Sequence, residues 1–291
     1  MIEYTEDYGD GTIGILKPSA PGMNMIYRGD DVKPGKTVLK KGKILETQDI
    51  GALAAMGITS VSVKRKLRVG VISTGDELVP VEEVPKQGQI RDVNTSMLLS
   101  AVSEAGAEAV SFGIIRDEFD LLDQAVAKAV ESCDMVLISG GSSVGTKDAT
   151  CRVIEKNGTL LFHGIAMKPG KPTILGQVGQ VPVFGLPGHP VAAMFVMKLY
   201  VVPLLDQMSG CTRVLYPVNA VLKEAVGANH GRAQYMGVVL QEEAGIFYAV
   251  PVRSKSGLIT SLAGAAGYFG IDRDCEGMAA GTEIKVYSFS K

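Results

Sequence analysis

Three short runs of strand-forming residues each end close to a carboxylate: Glu77 in STGDEL (73–78), Asp117 in IIRDE (114–118) and Asp148 in SGGSSVGTKD (139–148). Carboxylate oxygens suit a hard cation such as Mg²⁺, which binds through one or two of them together with substrate phosphates. The third run also carries Gly140, Gly141, Ser142, Ser143 and Gly145. Glycines let backbone come close to a bulky anion, and serine hydroxyls and loop N–H groups donate hydrogen bonds to it. The pattern is neither a Walker A loop nor GxGxxG. MKPGKP (167–172) adds Lys168 and Lys171 around a Pro-Gly turn, each able to meet a phosphate as a point charge. GLPGHP (185–190) adds Pro187, Gly188 and His189, with Pro190 suited to a helix's first turn. Each feature has a plainer reading. Asp148 can be the N-cap of the next helix, Asp76, Glu77 and Asp117 turn or cap residues, the lysines an exposed basic turn, the glycine loop a turn, and His189 a solvated side chain. The glycine-serine loop alone reads equally as a phosphate or pterin-type site and as a turn, and the convergence of three carboxylates at strand ends shifts Asp148 toward a metal or oxyanion-site ligand.

That convergence depends on the elements that carry the motifs. LRVGVIST, AEAVSFGII and DMVLISGG read as strands, and NTSMLLSAVSEAGA, DEFDLLDQAVAKAVESC and ATCRVIEKNG as helices between and after them. TILGQVGQVPVFGLPG holds two short strands around a turn, and PVAAMFVMKLYVVPLLDQMSG one long apolar helix. Alternation of this kind predicts an α/β fold with a doubly wound, mainly parallel sheet, whose ligands bind beyond the carboxyl ends of the strands. One crevice would then receive Glu77, Asp117 and Asp148. Residues 1–66 form a turn-rich, β-rich linker region. There GDDVKPGK is expected as a loop between short strands, ETQDIGALAAMGI as a helix capped by Thr47 and stopped at Gly57, and SVSVKRK as a strand. Residues 67–210 form the α/β domain. Residues 211–291 carry strands without long helices, in YPVNAVLKEAV, AQYMGVVLQEE, IFYAVPVR and TEIKVYSFS, and read as a small all-β, barrel-like domain.

The 291 residues are 46% hydrophobic and 21% charged, with a net charge of −2, which gives no basis for a nucleic-acid partner. Cys133, Cys151, Cys211 and Cys275 form no CxxC pair, so reduced thiols are expected rather than zinc or a disulfide framework. No apolar stretch reads as membrane-spanning, and the acidic start MIEYTEDYGDG is neither a signal nor a transit peptide. A cytoplasmic protein with no membrane partner is expected. His163 and His230 are isolated, and no Ser/His/Asp or Cys/His nucleophile system stands out.

STGDEL, GQIRDVN, GIIRDE, SGGSSVGTKD, AMKPGKP and GLPGHPVA occur in one order, preceded by PGMNMIYRGDDVKPG and QDIGALAAMGITSVSV. Together they resemble the molybdopterin molybdenumtransferase family, the MoeA and gephyrin E-domain proteins, over nearly the whole chain from about Gly14. The resemblance implies a Mg²⁺-dependent enzyme of molybdenum cofactor biosynthesis. It would insert molybdate into the dithiolene of adenylylated molybdopterin and release AMP. It also implies a molybdopterin-binding middle domain, a C-terminal β-barrel, a homodimer, and molybdopterin adenylyltransferase as a partner. By motif position, Glu77, Asp117 and Asp148 match acidic site residues and metal ligands, and Lys168 matches a site lysine. Substrate contacts fall to Thr74, Gly75, Gly140, Gly141, Ser142, Ser143, Gly145, Lys171, Pro187 and Gly188, to Asp31 in the RGDD loop, and to Ser256 in RSKSGLITS. Two departures stand out. Gly164 occupies a position where many relatives carry lysine. MIEYTED resembles the middle of a family segment, so the usual N-terminal segment and lid-like domain are expected to have no counterpart here. The alternatives are a non-catalytic molybdopterin-binding scaffold, a truncated fragment, and a molybdopterin adenylyltransferase. The last of these resembles the middle domain alone.

Overall fold

The computed structural model describes residues 1–140, 149–211, 213–253 and 255–289. The chain divides into two compact units, Met1–Val61 and Ser62–Lys291.

In the first unit, Thr5–Asp7 pairs antiparallel with Ile13–Ile15. Residues 16–46 form turns and irregular chain, so GDDVKPGK has no strand on either side. Helix α1 spans Thr47–Ala55, and its N-cap is Glu46, not Thr47. Glu46 and Asp49 form a reciprocal capping box, each side chain accepting from the other's backbone N–H. The chain leaves the helix through Gly57 at φ +71°, as a helix stop requires.

The second unit contains a six-stranded sheet made of β1 (Arg68–Thr74), β2 (Glu108–Ile115), β3 (Met135–Gly140), β4 (Thr159–His163), β5 (Ile174–Val178) and β6 (Val181–Leu186). Their spatial order is β2-β1-β3-β6-β5-β4. The β2–β1, β1–β3 and β3–β6 pairs are parallel, and β6–β5 and β5–β4 antiparallel. The β4 strand, TLLFH, follows the turn signal Asn157-Gly158 but has only alternating exposed and half-buried positions, and no strand is expected there from the sequence. Helix α2 (Val93–Glu104) covers one face of the sheet, and α3 (Phe119–Ser132) and α4 (Ala149–Asn157) cover the other. Val71, Ile72, Met135, Leu137 and Ile138 are fully buried between these layers. This two-faced burial makes the strands read as continuous apolar runs.

The apolar run after Gly188 is not one regular helix. It comprises α5 (Pro190–Val196), a π-helical turn (Met197–Val201) and α6 (Val202–Ser209). Pro203 supplies no N–H for a bond one turn back, and a local π turn accommodates the missing donor. By length and composition Pro190–Ser209 could cross a membrane, contrary to the sequence reading, yet half of it is buried inside the protein. Phe195, Val196, Met197 and Val201 form part of the core, which accounts for the apolar composition.

SVSVKRK (60–66) is irregular, not a strand. Val61 and Val63 are exposed there, and no described strand pairs with the segment. The last part of the chain is a closed barrel of β7 (Val218–Leu222), β8 (Ala233–Glu243), β9 (Ile246–Pro251), β10 (Gly267–Ile271) and β11 (Glu283–Ser288). The ring runs β9-β7-β11-β10-β8 and back to β9, enclosing Val238, Ala249, Phe269 and Val286. Closure leaves no free edge in the ring. The β10 strand, GYFGI, carries two glycines and gave no strand pattern in the sequence.

Candidate functional site at the sheet's carboxyl edge

Strand order reverses direction at β1: β2 lies on one side of it and β3 on the other. In an open α/β sheet that switch point opens a crevice at the carboxyl ends. Here the crevice lies where Thr74 pairs with Gly140. Gly140 has φ +121°, and a Cβ on it would sit 1.9 Å from the Thr74 carbonyl oxygen. Only glycine allows the chain to leave β3 so close to β1. Across the opening lies Gly188, where a Cβ would be 3.7 Å from the Gly140 Cα.

The floor is a set of buried polar groups bonded to one another. Asp92 caps α2 through the Thr95 N–H at 3.0 Å, and also accepts from the Ser73 hydroxyl at 3.1 Å and the Thr95 hydroxyl at 2.6 Å. Asn94 donates to Ser139 Oγ at 2.7 Å and to the Gly188 carbonyl at 2.8 Å. Its Oδ1 has no hydrogen-bond partner among the described residues. Asp92 and Asn94 lie in GQIRDVN, one of the motifs that carry the family resemblance, but no site role follows for either from the sequence.

Above this floor opens a cleft of about 1450 Å³. It collects Thr74, Glu77, Asp117, Gly140, Lys168 and Lys171, and also Pro187, Gly188 and Ser256. The Asp117 carboxylate accepts from the Thr74 hydroxyl, which ties the end of β2 to the end of β1. Glu77 is exposed and has no side-chain hydrogen bond or ion pair among the described residues. Gly75 lines an adjoining, shallower cleft. Asp31 belongs to the N-terminal unit. Gly141, Ser142, Ser143, Gly145 and Asp148 lie outside the described residues.

Sequence reasoning missed the barrel's contribution. The two-residue strand Met167–Lys168 pairs in parallel with the start of β8, Ala233 opposite Met167 and Gln234 opposite Lys168. The Ala233 N–H also donates to the Ala166 carbonyl at 2.9 Å. This splice brings Arg232 into the cleft beside the KPGKP turn. Lys168, Lys171 and Arg232 make no ion pair with any described residue. A lone arginine before a strand carries no local signal, and only the pairing across two domains places it. His189, read as a site-facing or a solvated residue, lines the cleft with its Nδ1 2.8 Å from Ser256 Oγ. Tyr235 also lines the cleft, and burial raises its phenol pKa, so it stays a neutral hydroxyl.

Residues 70–207 match the model of a probable molybdopterin binding domain, residues 219–289 the MoeA C-terminal region (domain IV), and residues 1–57 the MoeA N-terminal region (domain I and II). A putative molybdopterin biosynthesis protein of Methanocaldococcus jannaschii is 32% identical over 296 residues, spanning 99% of this chain and 71% of its own. The molybdopterin molybdenumtransferase of Bacillus subtilis is 32% identical, spanning 98% and 68%. The chain belongs to the MoeA family. Its members include transferases of molybdenum cofactor biosynthesis, and this chain carries the same three regions. The crystal structure of a MoeA protein from Pyrococcus horikoshii superposes with a TM-score of 0.80 at 35% identity, covering 99% of this chain and 70% of that one. The MoeA-type fold therefore extends across both the α/β domain and the barrel.

Besides the buried Asp92, which is engaged by Ser73 and Thr95, the carboxylates Glu77 and Asp117 line the cleft, and among the described residues no group of three acidic, histidine or cysteine side chains could hold a metal. Two carboxylates fit Mg²⁺ when substrate phosphates and water complete its shell.

Proposed function

We propose that the cleft binds adenylylated molybdopterin and molybdate, and that the chain inserts the metal into the dithiolene with release of AMP. One observation carries this reading. A single cleft at the sheet's switch point is lined by the carboxylates Glu77 and Asp117 and by Lys168, Lys171 and Arg232, cations with no ion-pair partner among the described residues. Both substrates are anions, and a cation with no protein partner keeps its charge for a ligand. The glycine-lined opening between Gly140 and Gly188 lets a phosphate lie against backbone. Lys168, Lys171 and Arg232 would neutralise the pyrophosphate and the oxyanion. Glu77 and Asp117 would hold Mg²⁺, which when bound withdraws charge from the phosphoanhydride. Thr74 fixes Asp117 in place, and the buried Asp92 and Asn94 networks keep β1, β3 and the Gly188 turn in register beneath the ligand. Asp148 and the glycine-serine loop, Asp31, a cytoplasmic location, a homodimer and an adenylyltransferase partner complete the reading as expectations drawn from the family.

The test is AMP release from adenylylated molybdopterin with molybdate and Mg²⁺, using this chain. Release that requires molybdate supports the enzyme. Tight binding of the nucleotide without release would overturn it in favour of a molybdopterin-binding scaffold. Asp117→Ala with unchanged release would remove the carboxylates from the mechanism.

A further inference from the structure

His189 is the N-cap residue of α5, yet its side chain makes no capping hydrogen bond. The ring turns instead to the barrel's loop, placing Nδ1 2.8 Å from Ser256 Oγ. The same loop is anchored to the helix by its backbone, where the Val191 N–H donates to the Ser256 carbonyl at 3.0 Å. Beneath the ring, the turn is held by the Asn94 bond to the Gly188 carbonyl. Beyond Ser256 the loop passes close to the imidazole, since a Cβ on Gly257 would lie 3.8 Å from His189 Cδ2. His189 therefore links the α/β domain to the barrel, and both it and Ser256 face the cleft.

We propose that His189 is a positioning residue that orients the Ser256 hydroxyl so that its proton is offered to an oxyanion in the cleft. A hydroxyl has one proton and two acceptor lone pairs. When imidazole Nδ1–H donates to Oγ, the serine proton remains available for the anion. When the proton sits on Nε2 alone, the hydroxyl must donate to Nδ1 and turns lone pairs toward the ligand. An anion in the cleft thus selects the Nδ1–H form, neutral or cationic, and the imidazole in turn prepares Ser256 to receive it. No covalent step is involved. The inference rests on the reading that the cleft takes an oxyanionic substrate.

Calorimetric titration of the full chain with molybdate alone tests it, using wild type, Ser256→Ala, His189→Phe, the double variant and His189→Asn. Losing a hydrogen bond to a charged group predicts a rise in Kd of about tenfold for each single variant. The double variant should be no weaker than either single one, because both remove the same interaction. His189→Asn, whose amide can stand near the Nδ1–H, should restore most of the affinity. His189 is exposed, so folding should survive these changes, and His189→Leu replaces the Phe variant if it does not. Wild-type Kd in His189→Phe beside a weakened Ser256→Ala would overturn the inference, as would effects that multiply in the double variant. No molybdate binding by the wild type would instead overturn the reading of the cleft, and with it the inference.

Discussion

In the floor of the cleft, Ser73 is bonded to Asp92 and Asn94 to Ser139, all four buried, whereas Lys168, Lys171 and Arg232 line it exposed or half-buried, without an ion pair among the described residues. The difference separates two tasks. Buried polar groups that satisfy each other hold backbone in place, and losing one partner leaves an orphan. Exposed cations add little to stability but keep their charge for an anionic ligand. Substitutions in the floor should therefore be felt in folding, and substitutions of the lining cations in binding.

The joint between the α/β domain and the barrel gives the largest expected effect. Phe195 of α5 is 1% exposed and packs against Tyr235, Tyr268 and Phe289, with Tyr268 edge-on at 5.7 Å. Phe195→Ala should cost about 3–5 kcal/mol in urea unfolding. A normal midpoint would show that the barrel and the α/β domain do not share this core. Asp92→Ala comes next. It removes a cap and the acceptor of the Ser73 and Thr95 hydroxyls, which keep only their bond to each other at 2.8 Å, at about 2–3 kcal/mol, whereas Asp92→Asn should lose less. An Asp92→Ala protein with native stability and weakened ligand binding would reverse the division of tasks. Lys168→Ala and Lys171→Ala should move stability by less than about 0.5 kcal/mol. Each should weaken nucleotide binding roughly tenfold at low salt, and less as salt screens the charge. A salt-independent loss would sink the anion reading of the two lysines.

The smallest effect tests the frame beneath β1. Asp134 accepts from Arg65 and from the Arg68 N–H, and the Arg65 hydrogen bond is the main reason its pKa lies below the usual carboxylate value. A lowered carboxyl pKa adds stability above the unfolded value, about 3.9, and loses it as pH falls through the native one. With Arg65 largely exposed, the contribution should stay below about 1 kcal/mol. Asp134→Asn should melt lower than wild type at pH 7, and the gap should narrow as pH falls below the ordinary carboxylate range. A gap that widens in acid would give the pair the wrong sign.

Legibility in the sequence followed the same line. The motifs at the ends of β1, β2 and β3 were readable because fully buried strands and punctuating turns leave local patterns. Thr74, Glu77, Asp117, Gly140 and the KPGKP lysines follow from those patterns together with the rule for carboxyl edges. Among the strands of the six-stranded sheet and the barrel ring, TLLFH escaped with weak burial contrast and GYFGI with glycines in a ring position. The predicted strand SVSVKRK failed because alternation makes a strand only where a neighbour completes its hydrogen bonds.

Arg232 and the His189–Ser256 link could not be reached from local pattern. Lys168 and Gln234 are far apart in the chain and meet through β pairing, and nothing local in either segment specifies the register. The sequence by itself determined the order of α/β elements, the glycines where backbone must come close, and the family. The tertiary structure decided which side chains share the cleft, because long-range pairing and helix packing, rather than spacing along the chain, set the distances between them.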